Sequence, residues 1–365
     1  GAPLMAPSVP SGSATGNTMR PELSSDVCAI PDGLLDPCLR LSKEERARLA
    51  GLRQASWQRH GKVLSCYLPG MYVRDGVRGR YPALSLTGTR CDQHCAHCEG
   101  KLLLSMPDVS TPERLWKQCQ AQASRGALGI LLSGGCDGLG RLPWEEFLPV
   151  IARVREELDL HVSVHSGLIT REIARGLACA GVEQVLLDVI GSPATYREVY
   201  GLENGPMALY ESLEVIIQAG LSLVPHIVAG LHFGCLVGEY EALRIVKGFM
   251  PEVLVVVVLM NLKGTRMAHV TPPGAEDLKD FFARAREELP DTILSLGCAR
   301  SRRDSTSLEQ LALLAGFNRM ALPSDETLEL ARAMGVRCSF QATCCSVAPT
   351  LRGGWQREPF SPFER

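Results

Sequence analysis

From about residue 82 onward the chain repeats one pattern eight times: a short apolar run, then an amphipathic helical stretch, at steps of roughly 25 to 45 residues. The runs begin at Ala83, Gly129, His161, Glu183, Leu221, Val253, Thr292 and Phe317. Several are almost continuously apolar, as strands covered on both faces must be. Eight βα units in series predict an α/β fold of the (β/α)8 TIM-type barrel class, whose reactive groups sit where strand C-termini meet the following loops. A doubly wound open sheet is the alternative, but no G-x-G-x-x-G turn follows a first strand.

The flanks divide the 365-residue chain further. Residues 1–25 are rich in Pro, Ser, Gly and Thr, hold few large apolar side chains and read as a disordered tail. Residues 26–80 form an N-terminal extension. Within it, residues 41–59 predict a helix with Ser42 as N-cap and Glu45 completing a capping box. The barrel is expected over 81–335 and a cysteine-bearing C-terminal segment over 336–365. In the barrel, Phe147, Val150, Ile151, Val154 and Leu158 share one helical face. Thr306 with Glu309 is expected to cap the helix before the eighth strand, while Ser324 starts the last helix and Gly335 ends it.

Charge and hydropathy narrow the partners. With 38 Lys and Arg against 40 Asp and Glu the net charge is −2, so no general field draws the chain to nucleic acid or an anionic membrane. The longest strongly apolar run, 253–260, is far short of the roughly 20 residues that span a bilayer. No basic segment followed by a hydrophobic stretch opens the chain, so a cytoplasmic location is expected.

Fourteen cysteines in a reducing compartment direct attention to metal or redox chemistry, and their spacing decides where. Cys91, Cys95 and Cys98 form a C-x3-C-x2-C loop leaving the first strand. Three thiolates on one short loop can hold three irons of a cubane and leave the fourth iron open. A zinc site recruiting His94 or His97 as a fourth ligand is the alternative, and would make the chain a non-catalytic, zinc-stabilised barrel. Other reactive residue types collect at the same rim: Ser133, Gly134 and Gly135 after strand two, His165 and Ser166 at strand three, Asp188 at four, His226 at five, Asn261 after six and Cys298 after seven. Lys263 would be a Schiff-base lysine if it were desolvated. Cys119 and Cys179 read as core residues, and Cys66, Cys136 and Cys235 also as structural. Cys28 and Cys38 stay ambiguous.

The segment RCDQHCAHC in a first βα loop resembles the signature of the radical S-adenosylmethionine (SAM) enzymes, over about residues 80 to 335. The resemblance implies a 4Fe-4S cluster on Cys91, Cys95 and Cys98, with SAM on the open iron cleaved to methionine and a 5′-deoxyadenosyl radical. It places His97 where the family carries an aromatic residue near the adenine. It gives Ser133, Gly134 and Gly135 the glycine-rich segment that meets the methionine amino group. The acidic residue usual after those glycines is replaced by Cys136, with Asp137 next. Asp188 becomes a candidate for the ribose hydroxyls, with capping of the next helix as its structural alternative. Ser166 and Asn261 are similar candidates, and His226 in VPHIVAGLHFG resembles the fifth-strand segment of biotin-synthase-like members.

LGCARSRRD after strand seven and RCSFQATCCSVAP near the end carry a second cysteine group. Cys298, Cys344 and Cys345 are the expected ligands of an auxiliary 4Fe-4S cluster, with Cys338 or Ser346 as a fourth. GCARSRRD, AGFNRMALPS and the terminal CCS together resemble the paired, two-protein lipoyl synthases, a branch near biotin synthase. That resemblance implies sulfur insertion into an octanoyl chain on a carrier-protein lysine, with the auxiliary cluster donating sulfur. The implied partners are an octanoylated lipoyl-carrier protein, a second lipoyl synthase protein, and an electron donor such as ferredoxin or flavodoxin. Arg300, Arg302 and Arg303 would attract an acidic carrier surface. Sulfur insertion into another acceptor, as in biotin formation, is the alternative within the same chemistry.

Overall fold

The computed structural model describes residues 30, 33–301 and 305–349. In chain order the helices are α1 (Lys43–His60), α2 (Pro112–Ser124), α3 (Leu148–Leu158), α4 (Arg171–Cys179), α5 (Pro193–Thr195), α6 (Gly205–Gln218), α7 (Glu239–Phe249), α8 (Ala275–Glu288), α9 (Ser305–Leu314) and α10 (Asp325–Ala333). The strands are β1 (Val63–Tyr67), β2 (Val73–Arg74), β3 (Val77–Arg78), β4 (Ala83–Ser85), β5 (Gly129–Ser133), β6 (His161–His165), β7 (Gln184–Asp188), β8 (Ser222–Ala229), β9 (Val253–Val258), β10 (Ile293–Leu296), β11 (Arg319–Ala321) and β12 (Arg337–Gln341).

All eight strands expected from the sequence form, as β4 to β11, and pair in parallel in sequence order. Two more join them. β1 pairs with β11 at Ser65↔Arg319 and with β12 at Leu64↔Cys338, giving a ten-stranded sheet in the order β12-β1-β11-β10-β9-β8-β7-β6-β5-β4. The stretches read as an N-terminal extension and a C-terminal segment therefore each contribute a strand to the barrel sheet. Among the described residues β4 and β12 do not pair as strands. Their ends meet where the Arg80 N–H donates to the Ala342 carbonyl at 2.7 Å.

The period-2 alternation of side chains sorts the sheet into two cores. Leu64, Leu84, Leu132, Val162, Val164, Val185, Leu254, Val256 and Leu294 pack outward with the helices into one large cluster. Tyr67, Leu186, Val224, Val253, Val255, Val257 and Ala321 form a second cluster on the other, concave side, and Cys345 is buried among them. The segment after β12 thus turns back into the lumen. It is tied there by Tyr67 Oη donating to Val347 O (2.8 Å), Gln184 Nε2 and Arg319 Nη1 donating to Ser346 O (3.0 and 2.9 Å), and Ser295 Oγ donating to Cys345 O (3.4 Å).

Local signals hold where they were strongest. Ser42 caps α1 with the full Glu45 capping box, and Ser324 caps α10. Phe147, Val150, Ile151 and Val154 are buried on α3. The residues that would cap α9 lie outside the described residues, and with them the capping expected of Thr306 and Glu309, but the Glu309 side chain has other partners. It turns inward onto Arg300 at 2.8 Å, both side chains at most 1% exposed, and accepts from Ser324 N and Thr327 Oγ1. Arg300 is thereby a core residue, donating also to Gly297 O and Ala321 O, and offers no docking charge. Arg302 and Arg303 lie outside the described residues, as does Cys28. Cys119 is buried, but Cys179 is exposed, as are Cys38 and Cys235. Among the described residues no helix is long and apolar enough to cross a membrane.

Candidate active site

The loop leaving β4 carries Cys91, Cys95 and Cys98, and backbone bonds seat it on two other rim segments. The Asp92 N–H donates to the Cys136 carbonyl at 2.8 Å, and the Ala96 N–H to the Val199 carbonyl at 2.7 Å. From β5, the Gly135 N–H donates to Thr87 Oγ1 at 2.7 Å. Gly135 has no room for a side chain, because a β-carbon there would meet Arg90 O at 2.0 Å and the Cys91 β-carbon at 2.5 Å. Glycine is needed at that position for close approach, not for a left-handed backbone.

Burial, and then the neighbouring thiols Cys98 and Cys91, push the Cys95 thiol well above its ordinary range. Burial likewise raises Cys98. Thiols held this way stay protonated until a cation takes the charge, the coupling expected of a metal-binding cysteine group. Among the described residues no three Cys, His, Asp or Glu side chains converge on one ion-sized point. A cubane makes no such demand, because each thiolate binds its own iron.

Beside this loop lies a half-open cleft of about 530 Å³, counted with the solvent space at its mouth, lined by Gln93, Ser133, Gly134, Cys136, His165 and Asp188 among others. Ser133, Gly134 and Asp188 thus line one cleft. Asp188 ends β7, sits 3.6 Å from His165 Nε2, and is in register with His226 of β8. The rings of His165 and His226 are 5.5 Å apart. Burial, reinforced by His165, drives the His226 imidazole down to about 4, so it is neutral near pH 7. Its Nδ1 lies 3.1 Å from the Val224 carbonyl, which places the ring proton on Nδ1.

His97 is half-buried against Tyr200, ring centroids 5.5 Å apart, and its buried Nδ1 has no hydrogen-bond partner among the described residues. Burial lowers the imidazole's pKa, with Asp188 pulling the other way. Two expected contacts are occupied elsewhere. The Ser166 hydroxyl donates to the Gly167 carbonyl at 2.8 Å, while the exposed Asn261 donates across its own loop to Ala268 O at 3.4 Å. Lys263 is exposed, which removes the desolvation that a Schiff-base lysine requires. Sequence reasoning passed over Tyr196, Tyr200 and Gln93, all of which line the cleft. The two tyrosines sit four residues apart and belong to no motif. Only their place just after Asp188 could have flagged them.

A second thiol group lies in the lumen. Cys344 and Cys298 pack against the inner cluster that buries Cys345. Cys345 and Ser346 lower the Cys344 thiol by hydrogen bonding, the Ser346 hydroxyl lying 3.3 Å from its Sγ. Cys338 is elsewhere. It lies on β12 with its side chain in the outer core beside Cys66, so it does not join this group.

The loop cysteines and the curled parallel sheet agree with the resemblance to radical SAM enzymes read from the sequence, and the likenesses to known proteins point the same way. It is similar to the biotin synthase of Zymomonas mobilis subsp. mobilis, 26% identical over 252 residues, covering 64% of this chain and 71% of that protein. It is 28% identical over 256 residues to the biotin synthase of Ruegeria pomeroyi, covering 64% and 75%. No family model matches the chain. Among solved structures, its fold is like that of methylornithine synthase (TM-score 0.54, 17% identity, 82% of this chain and 91% of that one). It is also like that of the FeFe-hydrogenase maturase HydG from Carboxydothermus hydrogenoformans (TM-score 0.56, 16% identity, 82% and 73%).

A 4Fe-4S cluster and SAM are the cofactors of such an enzyme, and the residues fit them. Three thiols share one braced loop, a glycine floor lies against it, the adjoining cleft has room for a small molecule, and His97 holds a buried nitrogen without a partner.

Proposed function

We propose that this enzyme inserts sulfur into an octanoyl chain carried on a lysine of a lipoyl-carrier protein, as one component of a two-protein lipoyl synthase. Cys91, Cys95 and Cys98 would hold the cluster. Ser133, Gly134, Gly135, His97, Asp188 and His226 would surround SAM, while Ser166 and Asn261 support the loops beside it. Bound there, cluster and SAM supply a radical able to break an unactivated C–H bond, a step beyond any side chain. The chain's own part is to position and to exclude water: Tyr196, Tyr200, Leu142 and Leu168 line the cleft with apolar surface.

The observation that carries the reading is the burial of Cys345, with Cys344 and Cys298 packed beside it, inside the barrel. A tail that returns into the lumen and brings sulfur there suits a sulfur-donating auxiliary cluster. Cys298, Cys344 and Cys345 would be its ligands, with Ser346 as the nearest further donor. A second protein and an electron donor such as ferredoxin or flavodoxin complete the proposed system. The test is mass spectrometry of an octanoylated carrier peptide after anaerobic incubation with SAM, reductant and the second synthase protein. Gain of sulfur together with 5′-deoxyadenosine is expected. Formation of 5′-deoxyadenosine without sulfur gain would overturn the substrate. Sulfur insertion into a biotin precursor is the second reading, favoured by the likeness to biotin synthases, and the same assay with that precursor separates the two.

A further inference from the structure

The cysteine loop takes a left-handed turn at two non-glycine residues. His94 and Glu99 both have φ of 45°, and they flank Cys95 and Cys98. Such conformations are costly for residues with a β-carbon and persist only where the surroundings enforce them. One side chain from a distant part of the chain holds both. Arg266, on the loop after β9, donates through Nε to Glu99 Oε1 at 2.9 Å and through Nη2 to the His94 carbonyl at 2.6 Å.

The loop that presents Arg266 is itself braced. Thr265 Oγ1 donates to Leu262 O at 2.8 Å, the Ala268 N–H to Thr265 O at 3.1 Å, and Asn261 Nδ2 to Ala268 O, while Met267 is fully buried. The arginine next to a buried anchor is therefore aimed from a fixed base. Its planar fork suits two acceptors at once, which a lysine cannot match.

We propose that Arg266 is a positioning residue for the cluster: it clamps the two strained turns so that Cys91, Cys95 and Cys98 keep their spacing. This rests on the reading that those cysteines hold the cluster. Arg266 touches neither cysteine side chain nor cleft, so it acts through the loop. Being more than half exposed, it contributes little to global stability.

The experiment uses full-length protein, anaerobically reconstituted, in a Cys344→Ser, Cys345→Ser background so that iron at the tail does not contribute. Iron release to a chelator and the EPR spectrum of the reduced cluster without SAM are compared for the parent, Arg266→Ala, Arg266→Lys, Glu99→Gln and the double variant Arg266→Ala, Glu99→Gln. Arg266→Ala is expected to release iron about ten-fold faster, the low end for loss of a group orienting a metal ligand. Its EPR lines should broaden while the thermal midpoint stays near the parent's. Arg266→Lys should fall between, keeping Glu99 but losing His94. Glu99→Gln and Arg266→Ala should combine less than additively, as partners in one contact do. Parent-like release and spectra in both Arg266 variants would overturn the clamp. A parent that binds no iron would instead overturn the cluster assignment on which the clamp rests.

Discussion

Gly135 and Cys91 are packed so closely that no side chain fits between the second and first βα loops. A β-carbon on Gly135 would stand 2.5 Å from that of Cys91, and the neighbouring obstacles are backbone atoms that cannot swing aside.

Gly135→Ala must therefore push the cysteine loop out of place. At Gly134 the nearest obstacle is the Thr87 hydroxyl at 3.1 Å, which has some freedom to move. Anaerobic iron analysis is expected to show the first cluster largely lost in Gly135→Ala and mostly kept in Gly134→Ala. Equal iron in the two variants would contradict the packing argument.

His226 sets a pH dependence whose sign follows from its burial. Its imidazole falls from an ordinary 6.5 to about 4, with burial first, His165 second, and Asp188 opposing. Between those values the unfolded chain binds a proton that the folded chain refuses, so stability rises with pH across the window and is lost as pH falls through it. The loss amounts to at most about 3 kcal/mol at the acid end. Urea midpoints at pH 7 and pH 4.5 should fall further apart in the wild type than in His226→Gln. Equal pH sensitivity would remove His226 as the source.

Much of this was legible in the sequence because period and spacing carry it. The eight strands β4 to β11 announce themselves as apolar runs between helices, and the α1 and α10 caps by their serines. β1 was missed because VLSCY, five residues between a long helix and a small hairpin, lacks any repeat of its own. β12 was missed because RCSFQ reads as a cysteine tail and pairs with a strand far away in sequence. At the site, residues on strand ends fell where the barrel requires, as Ser133 and Asp188 did. The roles of Arg300, Ser166 and Asn261 were not legible for one reason: a polar residue near a rim has the same letter whether it faces a ligand or satisfies its own loop.

Arg300 and Glu309 make the stability consequence concrete. Both are buried; burial alone would raise the Glu309 carboxyl, but Arg300 and the hydrogen bonds from Ser324 together hold it below its usual range. Arg300→Met leaves that carboxylate without its partner, which costs about 3 to 5 kcal/mol in such settings. The double variant Arg300→Met, Glu309→Leu should recover much of the loss, since replacing both members of a buried pair is often close to neutral. Urea denaturation reads both. If Arg300 were instead a docking residue, Arg300→Met would leave stability intact and weaken carrier binding.

The two faces of the sheet give the last contrast. Cys345 is buried in the lumen with Cys344 and Cys298 beside it, whereas Cys338, only a few residues earlier, points into the helix-facing core next to Cys66. If the lumen thiols hold an auxiliary cluster, fully reconstituted protein carries about eight irons and Cys345→Ala about four, in keeping with two cubanes reduced to one. Cys338→Ala keeps about eight and loses only the packing of a small apolar side chain. Formation of 5′-deoxyadenosine should survive both substitutions, because the radical depends on the first loop alone, while sulfur gain by the acceptor should survive only Cys338→Ala. The opposite pattern, iron lost with Cys338 and kept without Cys345, would overturn the lumen assignment and put the second cluster on the helix-facing side.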